Sequence, residues 1–194
     1  MTVLRIVCAL ICLAAGLCSA GSKEGHGVVF EDLAGVAHRP LDPGEKAGAV
    51  LFFYWHDCPI CNGYVPEINR ICANHTNFAF YIVQVDPDLA PAAAKQHARD
   101  YELRAPVLLD PQHRLVKLAK ATVTPEAVVV GREGQTLYRG RIDDLYAALG
   151  KRRSAATKHD LNEALDAIAR GGIVKAKETK AIGCIIQPRR LGSP

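Results

Sequence analysis

The chain has 194 residues, a formal net charge of +4 at pH 7 and 49% hydrophobic residues. That is long and apolar enough for one domain with a proper core. The mild basic excess sits in Lys151-Arg152-Arg153 and Arg189-Arg190, with no interleaved aromatic residues, so these read as solvated surface and nucleic acid binding has no support.

Met1 to Ala20 reads as a secretory signal peptide. Arg5 supplies the positive start, Ile6 to Leu17 the short apolar run, and Cys18-Ser19-Ala20 the small-residue cleavage site. The run is shorter than the ~20 residues a bilayer span needs. Cys18 also lies at the depth of a lipoprotein cysteine, but Leu17 precedes it where a small residue is expected, so cleavage after Ala20 is preferred. No later stretch could span a membrane. The mature protein is therefore expected to be exported, periplasmic or secreted, where disulfides persist. Cys8, Cys12 and Cys18 leave with the signal, and Cys58, Cys61, Cys72 and Cys184 remain. The expected organisation is a signal at 1–20, one domain at 21–172 and a tail at 173–194.

The domain opens with a short strand at Val28–Leu33 and a Pro- and Gly-bearing loop at Ala34–Gly48. Ala49–Trp55 is a continuous apolar run, as expected of a central strand covered on both faces. A helix follows, because Cys61, Val65, Ile68 and Cys72 recur at steps of three and four. Phe78–Val85 is a second buried strand, ended by Asp86-Pro87. Ala90–Tyr101 has helix-forming composition. Val107–Leu109 is a short strand and Leu115–Ala121 a short helix. Glu126–Val130 and Gln135–Gly140 make a hairpin around Gly131-Arg132-Glu133-Gly134. Thr157-Lys158-His159-Asp160 reads as a capping box, and Leu161, Ala164, Leu165 and Ile168 mark an amphipathic helix stopped by Gly171-Gly172. This order gives an α/β sandwich around a mixed sheet. The tail from Ile173 to Pro194 has no clear period.

The chemistry centres on Cys58-Pro59-Ile60-Cys61. Pro59 suits a first helical turn, so Cys58 stands where a strand stops and a helix starts. The free N–H groups and dipole of that end favour a thiolate and lower its pKa from about 8.5. Cys58 is the natural nucleophile, and Cys61, one turn inside, the resolving thiol. A static disulfide or half a zinc site is the plain alternative, but no second C-x-x-C or His pair completes four ligands. Protonated His56 would favour the thiolate, whereas Asp57 would oppose it. Trp55 either covers the dithiol or belongs to the core.

An apolar strand, Trp55 shortly before the first cysteine, C-P-I-C, and Pro66 five residues after the second resemble the thioredoxin superfamily. The resemblance covers roughly Val28 to Ile142. The branch it resembles is the exported redoxins, which include the cytochrome-maturation thioredoxin-like proteins and the alkyl hydroperoxide reductase/thiol-specific antioxidant group. It implies a thioredoxin-like α/β fold with a redoxin-type insertion, a C-terminal helix and a tail. It also implies a cis-proline facing the dithiol. Pro106 and Pro125 compete for that role, and Thr124-Pro125 is chosen because it leads straight into the hairpin. The chain departs from the family in three places. Phe52 stands where many thioredoxins bury an acid. Tyr64 replaces the Glu of the cytochrome-maturation branch, which leaves Glu67 a weak substitute. Leu51 and Trp55 occupy the Pro and Thr positions of the peroxiredoxin motif.

Cys72 reads as a buried, inert thiol. Cys184 is open between a partner for Cys72, an additional redox thiol for Cys58, and a free thiol. The leading expectation is an exported thiol–disulfide oxidoreductase acting on protein thiol or disulfide partners, with no cofactor and no resident metal. A thiol peroxidase and a copper or other soft-metal chaperone using Cys58, Cys61 and His56 are the alternatives.

Overall fold

The computed structural model describes residues 27–187. The signal reading at 1–20, with Cys18, lies outside them.

A five-stranded sheet organises the domain. β1 (Phe30–Glu31) and β2 (Ala37–His38) form a small ribbon before β3 (Ala49–Tyr54), α1 (Pro59–Asn74), β4 (Ala79–Gln84), α2 (Pro91–Asp100) and β5 (Val107–Leu109). Then come α3 (Arg114–Ala119), β6 (Val123–Thr124), β7 (Glu126–Val130) and β8 (Thr136–Gly140). A second ribbon, β9 (Tyr146–Ala148) with β10 (Lys151–Arg152), precedes α4 (Asp160–Ala169), and β11 (Cys184–Ile185) closes the described chain. The sheet order is β5-β4-β3-β7-β8. β3 is parallel to β4 and antiparallel to β7, so the sheet is mixed. The mixed sheet is what the order of elements predicts, and the topology is thioredoxin-like, as the resemblance implies.

Every residue of β3 is buried, which explains its unbroken apolar run. Its alternate residues feed two cores. Val50, Phe52 and Tyr54 pack with Cys61, Val65 and Ile68 of α1 and with Leu161 and Leu165 of α4. Ala49, Leu51 and Phe53 pack on the other face with Leu115 and Val116 of α3. Pro59 opens α1, and Pro66 inside it gives up one i→i−4 bond. Asp110 holds the start of α3 by accepting from Arg114 N (2.7 Å) and Val116 N (3.0 Å).

The capping box at Thr157 does not form. His159 is the cap of α4 and makes no side-chain cap bond. Thr157 instead gives its N–H (2.6 Å) and its hydroxyl (2.7 Å) to buried Asp144. The carboxylate is the stronger acceptor, and it ties the loop before α4 to the end of the sheet. Asp160 and Glu163 serve the first turn of α4 through the helix dipole.

The aperiodic tail, over its described residues 173–187, folds back on the domain. Arg139 N donates to Lys177 O (2.8 Å) and Thr179 N to Arg139 O (3.0 Å), so residues 177–179 run along the free edge of β8. A methyl group on Gly140, which has φ +150°, would collide with Thr179. The chain then crosses to β6, where Cys184 pairs with Thr124 and Ile185 with Val123.

Candidate redox site

Three elements converge on Cys58. It is the residue before the first turn of α1, in extended conformation, where β3 has just ended. Cys61 lies one turn inside and is fully buried. The Thr124-Pro125 peptide is cis and leads into β7, as the resemblance implies, and the Cys58 thiol lies 3.6 Å from the Thr124 carbonyl oxygen. Cys184, on β11, lies with its Sγ 2.9 Å from Cys58 Sγ. Of the three openings for Cys184, the structure brings it to Cys58 and not to Cys72.

The thiols differ sharply in acidity. Cys58 is held down to about 5. The largest cause is the hydrogen bond from Cys61. The Cys184 thiol and the backbone N–H groups of Cys61 and Ile60 add to it, and burial opposes it. Cys61 is pushed well above its usual value by burial first, then by sharing a bond and charge with Cys58; the Thr124 hydroxyl works the other way. Cys184 is pushed up to about 12, by burial first and then by Cys58. Cys72 is half-buried and pushed up to about 12 by burial, in keeping with an inert thiol. One acidic thiol thus stands beside two that hold their protons more tightly than usual.

The flanking residues form a polar hub. Asn62 donates to His56 O (3.0 Å) and accepts from the Tyr54 hydroxyl and from His97 Nε2 (3.1 Å). It fastens the loop before Cys58 to the helix after it. His56 lies 3.2 Å from Asp57 and 3.4 Å from Asp86. Trp55 turns its indole N–H to Asp86 (3.4 Å) and packs partly against both cores. Asn62 and His97 were invisible in the sequence because each looks like an ordinary polar helix residue.

The substitutes for a buried acid do not serve the dithiol. Phe52 is fully buried in the α1 core. Glu67 is committed to Arg70 through two contacts of 2.6 and 2.7 Å. Tyr64 gives its hydroxyl to Asp143 (2.6 Å). A further buried acid, Glu126, follows the cis-proline. It stands opposite Phe53 on the other sheet face and holds Thr122 N (2.8 Å), so it braces β6 and does not reach Cys61's side of the sheet. Among the described residues, Glu67, Asp143 and His159 form a cluster of metal-capable groups within 4.8 Å, with Glu67 and Asp143 already bonded as above.

The profile of the AhpC/TSA family matches residues 37–139. Among curated proteins, the thiol-disulfide oxidoreductase ResA of Bacillus thuringiensis subsp. konkukian is 24% identical over 115 residues. That match covers 59% of this chain and 66% of the relative. Solved structures share the fold. A hypothetical protein of Sinorhizobium meliloti 1021 superposes with a TM-score of 0.71 at 21% identity, covering 85% of this chain and 92% of that one. A secreted Mycobacterium tuberculosis disulfide oxidoreductase, homologous to E. coli DsbE, gives 0.55 at 18% identity, covering 75% and 99%.

Proposed function

The chain belongs to the AhpC/TSA family, and we propose that it is an exported thiol–disulfide oxidoreductase of protein substrates, with Cys58 as nucleophile and Cys61 as resolving thiol. The observation that carries this reading is the split in acidity across Cys58-Pro59-Ile60-Cys61. Cys58 is a thiolate at neutral pH and Cys61 stays protonated. The name of the ResA relatives and the secreted oxidoreductase among the structural neighbours agree with it.

The Cys58 thiolate attacks one sulfur of a partner disulfide, and the partner's other sulfur leaves as a thiolate that takes up a proton. Cys58 is then bonded and uncharged. Two of the three causes that keep Cys61 protonated disappear, since both depend on the Cys58 thiolate. Cys61 can now lose its proton and attack Cys58 Sγ, releasing the reduced partner and leaving the Cys58–Cys61 disulfide. Pro125 and Thr124 line the approach to Cys58. Both electrons travel in sulfur bonds, so exchange needs no organic cofactor. Export rests on the signal-like Met1–Ala20. Among the described residues, no helix is long and apolar enough to cross a membrane.

The test is turnover of a protein disulfide such as insulin by the full mature chain. Cys61→Ser, made together with Cys184→Ser because the Cys184 thiol lies 2.9 Å from Cys58, should abolish turnover and trap a mixed disulfide on Cys58. A trap on Cys61 in Cys58→Ser, with none on Cys58 in the chain that lacks Cys61 and Cys184, would reverse the assignment. Peroxidase chemistry is the second reading, favoured by the family match and the low pKa of Cys58. Trp55 stands at that chemistry's hydroxyl position, and indole donates but does not accept.

A further inference from the structure

We infer that Cys184 is a third redox thiol, which exchanges into an internal disulfide with Cys58 while its strand occupies the edge that a partner must use. The inference rests on Cys58 being the exchange nucleophile.

The docking of this strap is built into the backbone. Cys184 pairs with Thr124, and Ile186 N donates to Thr122 O (3.0 Å). The Thr124 hydroxyl lies 3.4 Å from Cys184 O. Gly183 permits the approach, because a methyl group there would land on the Thr124 carbonyl oxygen and lie 3.1 Å from Pro125 N. Any other residue at 183 would push the strap away from the cis-proline, and Cys184 Sγ with it. Upstream, Thr179 is fixed by Tyr138 and by Arg141 N (3.1 Å).

The strap also explains why a nucleophile at a helix start is 0% exposed. A buried sulfur does not meet a partner's disulfide. The outer edge of β6, beside the cis-proline, is already paired with β11. A partner strand reaching Cys58 there must displace the strap.

The internal step balances without another reactant. In the Cys58–Cys61 disulfide form, Cys184 loses its proton and attacks Cys58 Sγ. The Cys58–Cys61 bond breaks, the Cys58–Cys184 bond forms, and Cys61 leaves as a thiolate and takes up a proton. No electrons enter or leave. The charge and bond from the Cys58 thiolate, which help keep Cys184 protonated, are absent in that form.

The test is disulfide mapping by mass after the reduced full mature chain is oxidised with glutathione disulfide and quenched in acid. Wild type should give a Cys58–Cys184 peptide beside the Cys58–Cys61 peptide. Cys61→Ser should give Cys58–Cys184 as its main intramolecular product. Gly183→Val should lose that link and still form Cys58–Cys61. Its reduced Cys58 should react with insulin about tenfold faster, the factor for losing one or two net hydrogen bonds of closure. A chain shortened to end at Lys180 should show the same acceleration, whatever the Val variant's stability. No Cys58–Cys184 peptide in Cys61→Ser, or an unchanged insulin rate in the shortened chain, overturns the inference. Insulin turnover by wild type is read in parallel: its absence counts against the proposed function, whereas a missing Cys58–Cys184 link counts against the strap alone.

Discussion

Replacing Cys61 with alanine should raise the ionisation midpoint of Cys58 by about one pH unit. Cys58 is held down to about 5, and the bond from Cys61 is the largest cause. A hydrogen bond to a charged group contributes about 1.5–3 kcal/mol. A thiol is a weak donor, so the low end applies. At 1.36 kcal/mol per pKa unit, about one unit is lost. The N–H groups of Cys61 and Ile60 and the Cys184 thiol remain, so the midpoint should stay well below the ordinary 9.0. The assay is thiolate ultraviolet absorbance during a pH titration of the reduced protein. Cys61, Cys72 and Cys184 are all pushed up, which leaves Cys58 as the thiol that titrates in the acid range. An unmoved midpoint in Cys61→Ala, or a wild-type midpoint above neutrality, would refute the account. The same shift has a signed effect on stability. The folded value lies below the unfolded one, so Cys58 stabilises the reduced fold fully above about 9. That contribution is lost as pH falls through about 5, and resistance of the reduced protein to urea should decline over this window.

Between the ionisations of Cys58 and Cys61, reducing the dithiol takes up two electrons and one proton. The reduction potential should therefore fall by about 30 mV per pH unit at neutral pH, and by about 59 mV per unit well below the Cys58 midpoint; a uniform slope of about 59 mV would contradict the acidity split. Leu161 is 0% exposed between α4 and the sheet, so Leu161→Ala should cost about 2–5 kcal/mol, read as a lower urea midpoint at unchanged slope. Hydrogen peroxide should oxidise Cys58 no faster than an ordinary low-pKa thiol. A stopped-flow rate orders of magnitude higher would move the protein to peroxidase chemistry.

The parts legible in the sequence were those with a period or a hard steric rule. β3 announced itself because both its faces are buried, so all six residues are apolar or aromatic. α1 did so through the repeat Cys61, Val65, Ile68 and through Pro59. The cis peptide at Pro125 came from the resemblance, since nothing in an X-Pro bond itself signals cis. What stayed hidden was set by long-range pairing. β11 is two residues long, too short for any alternation to register, and its partner lies about sixty positions earlier. The hub at Asn62 joins residues from β3, the loop before Cys58 and α2. The β9–β10 ribbon hid because β10 lies in the basic cluster expected to be exposed and β9, Tyr146–Ala148, is only three residues long. At Thr157 the local pattern was present, but a distant carboxylate, Asp144, competed for the same groups and won.

The anchoring of residues 177–179 along β8 sets the concentration at which Cys184 competes. From Thr179 to Cys184 the chain is five residues long. If the strap lifts while the anchor holds, a flexible tether of that length has an end-to-end distance of about 12 Å. A thiol on so short a leash is present near Cys58 at an effective concentration of at least millimolar order. Small dissolved thiols must match that to intercept an oxidised Cys58. A protein partner can prevail by binding across the surrounding surface, so the length of this tether selects for partners that dock and against those that merely collide.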